Sequence, residues 1–142
     1  MVRDLERFVA AQDRGGGYET ALREIRDGAK RTHWIWWVFP QLVGLGRSET
    51  SREFGVDSLD EAIAYVEHPV LGPRLRAATK AMLEHQGSTA SSILHGDDVK
   101  FRSSMTLFAR ASRDNELFLS AISQFFDAEG DPLTEQLLAK DR

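Results

Sequence analysis

Apolar residues recur every three or four positions through most of the chain, which is the spacing of one buried face on an amphipathic helix. Asp4 can cap a first helix, and the glycine run 15–17 ends it. A second helix is predicted from about Tyr18 to Asp27, with Gly28 as its stop. The glycine run has neither the preceding strand nor the following Lys-Ser/Thr pair of a phosphate loop, so a turn is favoured over a phosphate cradle.

The second half of the chain continues this pattern with clearer boundaries. Ser58 and Glu61 have the spacing of a capping box, in which each side chain satisfies a backbone amide of the first turn. His68-Pro69 ends that helix, and Pro73 is expected at the first position of the next. Further helices are predicted over about 88–94, from Asp97 or Asp98, from Asn115 or Glu116, and from Asp131-Pro132. The pattern predicts a single all-α domain over residues 1–142, a compact orthogonal array of about seven to eight short helices.

The stretch Lys30–Ser48, KRTHWIWWVFPQLVGLGRS, does not follow the helical pattern, and residues 29–57 as a whole are expected to be irregular. Residues 34–39 are apolar without a gap, so periodicity does not separate a buried strand from a helical turn. We expect one or two helical turns, because a lone strand would have no partner. Consecutive helical residues diverge by about 100°, so the rings of this segment cannot all point inward. At least one of Trp34, Trp36, Trp37 and Phe39 is therefore expected at a surface, cleft or interface.

Polar and basic side chains accompany these rings. Cations and hydroxyls beside aromatic surface are what an anionic, planar ligand requires. His33 is also a catalytic candidate, because it can exchange a proton near neutral pH. The alternatives are that the rings fill the core, that Lys30 and Arg31 belong to a solvated face, and that His33 is structural. The ligand-binding candidates in this stretch are Lys30, His33, Trp34, Trp37, Gln41, Arg47 and Ser48.

A second group of candidates lies on the helix predicted to start at Asp97 or Asp98. On a helix, Ser103 lies within one turn of Lys100 and also within one turn of Thr106. All three residues are ligand-binding candidates. A lysine held near a serine can promote attack by the hydroxyl, so Lys100 and Ser103 are also catalytic candidates. The alternative is that the aspartates cap the helix and that the small hydroxyls permit close helix packing.

Composition narrows the classes of function. The net charge of -4 and the pI near 5.6 disfavour extended contact with nucleic acid. The chain has no cysteine, and its histidines have no metal-binding spacing, so neither a metal nor another cofactor is expected. We expect no signal peptide and no membrane-spanning segment, because no apolar run approaches the roughly 20 residues required. A cytoplasmic location is therefore the expectation.

Six blocks of the sequence resemble the mainly bacterial family known as domain of unknown function 1810, which is sometimes labelled calpastatin. The blocks cover almost the whole chain: DLERFVAAQ (4–12), YETAL (18–22), GAKRTHWIWWVFPQLVGLGRS (28–48), EAIAYVEHPVLGPRL (61–75), ILHGDDVKFRSSMTLF (93–108) and DPLTEQLL (131–138). The resemblance implies a compact helical domain and transfers no catalytic residue, since the family carries no established activity. His95 stands where glycine is expected in the family. The calpastatin label does not fit, because that inhibitor is an extended disordered chain.

Taken together, these features favour a small anionic, nucleotide-like metabolite bound between the Lys30–Ser48 stretch and the Lys100–Thr106 helix. The sequence leaves open whether the protein also acts on that ligand as an enzyme. The alternative is a non-enzymatic structural or protein-interaction domain, whose aromatic stretch supports a homo-oligomer or a partner interface.

Overall fold

The structure is a computed structural model that describes residues 4–15 and 17–140. Its helices are α1 (Glu6–Asp13), α2 (Tyr18–Arg26), α3 (Ile35–Val38), α4 (Glu49–Phe54), α5 (Leu59–Glu67), α6 (Leu71–Leu83), α7 (Ala90–Leu94), α8 (Asp98–Ala111), α9 (Glu116–Phe126) and α10 (Pro132–Lys140). The all-helical prediction is confirmed, with ten helices over these residues instead of seven or eight. The orthogonal arrangement of the helices stays a prediction. None of the described helices is both long and apolar enough to span a membrane.

α4 lies in the region that was expected to be irregular. It is six residues long, too short to display a helical period, and it begins where the Ser48 hydroxyl accepts a hydrogen bond from the Ser51 amide at 3.1 Å. An N-cap serine was therefore the available sequence signal for α4.

All ten helices contribute to one hydrophobic core, which defines a single compact domain. α8 lies at its centre and packs against α5, α7, α9 and α10. Phe101 and Phe108 of α8 are fully buried. The Phe101 ring lies 4.8 Å from the ring of Phe39, and the Phe108 ring lies 5.2 Å from that of Tyr65. α8 therefore packs against the aromatic stretch through the contact between Phe101 and Phe39.

Several predicted boundaries hold. Ser58 Oγ accepts from the Glu61 amide at 3.2 Å, and Asp131 Oδ2 accepts from the Thr134 amide at 3.0 Å. Gly17 lies between α1 and α2. The turn requires glycine at this position, because a Cβ there would lie 2.4 Å from the Gln12 carbonyl oxygen. Gly16, the middle residue of the predicted turn, lies outside the described residues.

Two boundary predictions were wrong in detail. Asp97 precedes α8, but its side chain makes no capping hydrogen bond and binds lysines instead. Pro73 is the third residue of α6, where a missing amide also costs nothing because the first-turn amides have no helical partner. The start of α6 is capped by His68, whose Nδ1 accepts from the amides of Val70 and Leu71 at 3.1 and 3.2 Å.

The carboxylate of Glu24 on α2 fixes the entrance to the aromatic stretch. Glu24 is 4% exposed; its Oε1 accepts from the Arg31 amide at 2.7 Å, the Thr32 amide at 3.0 Å and the Trp34 indole Nε1 at 2.9 Å. Burial alone raises the pKa of Glu24, but hydrogen bonds from Trp34, Arg31 and Thr32 lower it to about 2. The ionised carboxylate thus holds Trp34 in the core.

We predict that Glu24→Gln lowers the free energy of unfolding at pH 7 by about 1–3 kcal/mol, because the amide keeps the shape but loses the charge-assisted hydrogen bonds. The pKa of Glu24 is lower in the folded state than its ordinary value of 4.5. Its stabilisation is therefore complete above that value and is lost as the pH falls towards about 2. Urea unfolding at pH 3, 5 and 7 measures both effects.

The matched control is Glu19→Gln, which removes an exposed carboxylate from the same helix. It should change the unfolding free energy by less than about 0.5 kcal/mol. A Glu24→Gln variant that loses stability with falling pH as steeply as the wild type would contradict the role assigned to Glu24.

Candidate functional site

The Lys30–Ser48 stretch and α8 meet around one cavity of about 450 Å³, which we call the Trp36 cavity. The stretch contributes Trp36, Gln41 and residues 45–48; α8 contributes Val99, Lys100 and Ser103; the start of α10 contributes Asp131 and Leu133. Regions more than 50 residues apart in sequence therefore share its wall. Its volume falls within the range of small-molecule sites, roughly 300–1,000 Å³.

The backbone on the stretch's side of the cavity is held by short local contacts. Pro40 ends the turn that follows α3, and a parallel β-bridge then joins Leu42 to Val56. The Val56 amide donates to the Gln41 carbonyl, and the Val43 amide donates to the Val56 carbonyl, both at 2.9 Å. These bonds fix the direction of the chain at the cavity wall.

The aromatic rings divide between core and cavity. Trp34 and Phe39 are essentially unexposed, at 0% and 1%, and Trp37 is half-buried with its ring 5.3 Å from that of Phe54. Trp36 is half-buried, and among the described tryptophans it is the one that lines the Trp36 cavity. Sequence reasoning named Trp34 and Trp37 as ligand candidates and missed Trp36, because nothing in an unbroken apolar run marks which ring faces outward.

A charge cluster joins the stretch to α8. Lys30 Nζ lies 3.0 Å from Asp97 Oδ2, and Lys100 Nζ lies 3.0 Å from Asp97 Oδ1. The two ammonium groups also lie over aromatic rings, Lys30 over Trp34 and Lys100 over Trp36, each 5.2 Å from the ring centroid. Burial by itself raises the pKa of the Asp97 carboxyl, but hydrogen bonds and charge from both lysines lower it overall.

The two lysines therefore occupy different places. Lys30 is 7% exposed and lies outside the cavity lining. Its ion pair with Asp97, which we call the Lys30–Asp97 clamp, holds the stretch on α8. Lys100 borders the cavity, but Asp97 already neutralises part of its charge.

The hydroxyl groups of α8 are also engaged. Ser103 Oγ can donate to the Val99 carbonyl or to Asp131 Oδ2, each at 3.1 Å. Lys100 Nζ binds Asp97 instead of Ser103, so the predicted serine–lysine pair is not formed. Thr106 Oγ1 donates to the Arg102 carbonyl and accepts from the Asp131 amide, both at 2.8 Å. Thr106 borders a different cavity, between α8, α9 and α10.

Two polar groups at the Trp36 cavity have no partner among residues 4–15 and 17–140. The guanidinium of Arg47 is exposed and makes no ion pair with any of them. The carboxamide of Gln41, a residue only 7% exposed, makes no hydrogen bond with them either. His33 is exposed and does not line this cavity.

At the other cavities some polar groups are engaged within the protein, whereas the Arg113 side chain and the Ser112 hydroxyl have no partner among the described residues. In a cavity of about 500 Å³, Arg76 donates to the Asp114 carbonyl at 3.0 Å. In one of about 300 Å³, Asn115 donates to the Ala109 carbonyl at 3.0 Å. Arg110 borders both and is paired with Glu135. None of these other cavities is bordered by an aromatic ring of a described residue, whereas the Trp36 cavity is, so it is the better candidate for binding a planar ligand.

The fold and the cavity define a small all-helical protein with a ligand-sized cleft between its aromatic stretch and its central helix. The chain belongs to the family described as "Protein of unknown function (DUF1810)", whose model matches residues 2–138. It is similar to the conserved hypothetical protein Rv1873 from Mycobacterium tuberculosis, known from a crystal structure at 1.38 Å. The two are 44% identical, the match covers 96% of each chain, and the TM-score is 0.92. Comparison with the curated proteins gave no match.

These comparisons confirm the family suggested by the sequence blocks and the helical fold. Neither the family's description nor that of the similar protein names a ligand or a reaction. Among the described residues, no group of three or more histidine, aspartate or glutamate side chains could hold a metal ion.

We predict that Asp97→Asn lowers the free energy of unfolding by about 1–3 kcal/mol, because it leaves the buried ammonium of Lys30 without a counter-charge. Chemical denaturation followed by tryptophan fluorescence measures this loss. The matched control is Asp27→Asn, which breaks the ion pair between Asp27 and Arg31, whose side chains are 48% and 58% exposed. Such a surface pair contributes about 0–1 kcal/mol. Equal losses of unfolding free energy in the two variants would contradict the stabilising role assigned to the ion pair between Lys30 and Asp97.

Proposed function

We propose that the protein binds a small anionic, planar, nucleotide-like metabolite in the Trp36 cavity. The observation that carries this proposal is that the unpaired guanidinium of Arg47 and the half-buried ring of Trp36 line the same cavity, which is of ligand size. A guanidinium binds phosphate or carboxylate groups through two parallel hydrogen bonds, and an indole face accepts planar rings.

The charges around the cavity set the expected strength of binding. Arg47 supplies the free positive charge, whereas Lys100 shares Asp97 with Lys30, and Asp131 adds a carboxylate to the wall. Repulsion from Asp131 opposes an anion placed near α10, so we place the acidic group of the ligand at Arg47. A compact anion with one or two charges fits this balance better than a polyphosphate.

The geometry favours binding by a smaller set of residues than the sequence indicated. We retain Gln41, Arg47, Ser48, Lys100 and Ser103 and add Trp36. Five earlier candidates are left out because they hold the fold together or lie away from the cavity lining: Lys30, His33, Trp34, Trp37 and Thr106. We assign no reaction. A cytoplasmic location, a bacterial source and the lack of extended nucleic-acid contact stay proposals from the sequence.

Titration with adenosine 5′-monophosphate, followed by tryptophan fluorescence, tests the proposal. We expect a saturable change that Trp36→Phe abolishes and Trp37→Phe preserves, because Trp37 packs against Phe54 outside the cavity lining. Arg47→Gln should raise the Kd by about tenfold, since a hydrogen-bonded ion pair contributes about 1.5–3 kcal/mol.

Arg23→Gln is the matched control, because it removes the same charge from an exposed position on α2. It should leave the Kd within about twofold, which measures the contribution of net charge alone. The absence of a saturable response to nucleoside monophosphates and to phenyl phosphate, from a folded wild-type protein, would refute the proposal.

A second candidate function is an interface with a partner or with another copy of the chain. Among the described residues, the exposed large apolar side chains are Val99, Leu119 and Leu133, and two of these border the Trp36 cavity. None is aromatic, which weakens the version of this idea based on the tryptophans. Light scattering of the wild type and of Leu133→Ser distinguishes the two: an oligomer that dissociates in the variant supports an interface, and a concentration-independent monomer opposes self-association.

A further inference from the structure

Gln41 is unusual among the buried polar residues of the chain. Its carboxamide has no hydrogen-bond partner among the described residues, although the residue is only 7% exposed. Polar side chains with so little exposure are nearly always hydrogen-bonded within native proteins. The exceptions call for an explanation in structure or in function.

Gln12 shows how this fold satisfies a glutamine when the role is structural. Gln12 is 3% exposed, and its Nε2 donates to the Trp37 carbonyl at 2.6 Å and to the Tyr65 hydroxyl at 3.1 Å. Its Oε1 accepts from Arg74 at 3.2 Å. Both ends of that carboxamide are used, which is the behaviour expected of a core residue.

The position of Gln41 separates it from the other unsatisfied groups. The indole nitrogen of Trp37 and the hydroxyls of Ser104 and Ser112 also lack partners, but these atoms have essentially no accessible surface and a ligand cannot reach them. Gln41 lines the Trp36 cavity, and its carboxamide is not sealed in this way. A molecule in the cavity can therefore contact it.

The backbone of Gln41 is fixed before any ligand arrives. Its carbonyl accepts from the Val56 amide at 2.9 Å, and the adjoining Leu42 is 5% exposed in the core. The residue before it, Pro40, has its φ angle fixed by the proline ring. Binding therefore requires no ordering of the backbone at Gln41, and only the rotamers of its side chain have to be fixed.

We infer that Gln41 is a specificity-determining residue, which reads a planar ring carrying a hydrogen-bond donor and an acceptor side by side, as nucleobases do. A carboxamide offers an N–H donor and a C=O acceptor in one plane, so such an edge satisfies both, whereas a phosphate satisfies only the donor. This inference rests on the proposed function: Arg47 holds the acidic group, Trp36 faces the ring and Gln41 pairs with its edge.

Three probes separate this inference from the proposed function. Uridine 5′-monophosphate has the paired edge, its N3-methyl derivative lacks the donor, and phenyl phosphate has a planar ring and a phosphate without any edge. Isothermal titration calorimetry with the wild type should give a Kd for uridine 5′-monophosphate about tenfold lower than for the N3-methyl derivative, because the methyl group removes the N3–H donor and blocks the edge that pairs with Gln41.

Gln41→Met keeps the length of the side chain and removes both hydrogen-bonding groups. We expect it to weaken uridine 5′-monophosphate about tenfold and to leave phenyl phosphate unchanged. The control Gln124→Met changes an exposed glutamine of α9, outside the cavity lining, and should affect neither ligand. If Gln41→Met does not fold, the comparison of the three probes on the wild-type protein decides the question by itself.

The outcomes are distinct. Equal binding of uridine 5′-monophosphate and its N3-methyl derivative, with phenyl phosphate also bound, overturns the role of Gln41 and leaves the anion site standing. Failure of all three probes overturns both. Unchanged nucleotide affinity in Gln41→Met means that an ordered water satisfies the carboxamide, and it also overturns the inference.

Discussion

The packing of the Lys30–Ser48 stretch against α8 is the contact on which the rest of the structure depends. Phe39 lies on Phe101 in the core, and Asp97 at the start of α8 binds Lys30 from the stretch and Lys100 from the helix. The first contact buries apolar surface, and the second gives the buried Lys30 its counter-charge. Together they hold the stretch against α8, which brings the two walls of the Trp36 cavity together.

The polar residues of this region differ in whether their side chains find partners within the protein. Glu24, Lys30 and Thr106 are buried with their partners inside the protein, so each supports the fold. The buried carboxamide of Gln41 and the exposed guanidinium of Arg47 have no such partners among the described residues, and both lie at the Trp36 cavity. Because a polar group with little exposure is usually hydrogen-bonded within the protein, the free carboxamide of Gln41 marks the candidate site more sharply than residue type does.

Helical periodicity and boundary residues predicted most of the scaffold. Long stripes such as those of α2, α5 and α9 were recognised because a helix of nine or more residues repeats its buried face at least twice. α4 was missed because six residues give no repeat. The helix before Pro73 was bounded correctly, but its successor began two residues early, since His68 supplies a cap that is formed only by the folded turn.

The sequence by itself determined the helical class of this protein, most helix boundaries and the region that is not ordinary scaffold, because local propensity and periodicity are written in neighbouring residues. It also brought the Lys30–Ser48 stretch and the Lys100–Thr106 helix into one prediction. Only the tertiary structure decided which side chains in those segments are already bound to one another. Trp34 is held by Glu24 and Lys30 by Asp97, whereas Trp36 and Gln41 face a cavity. Those pairings join residues from different elements, and no spacing along the chain records them.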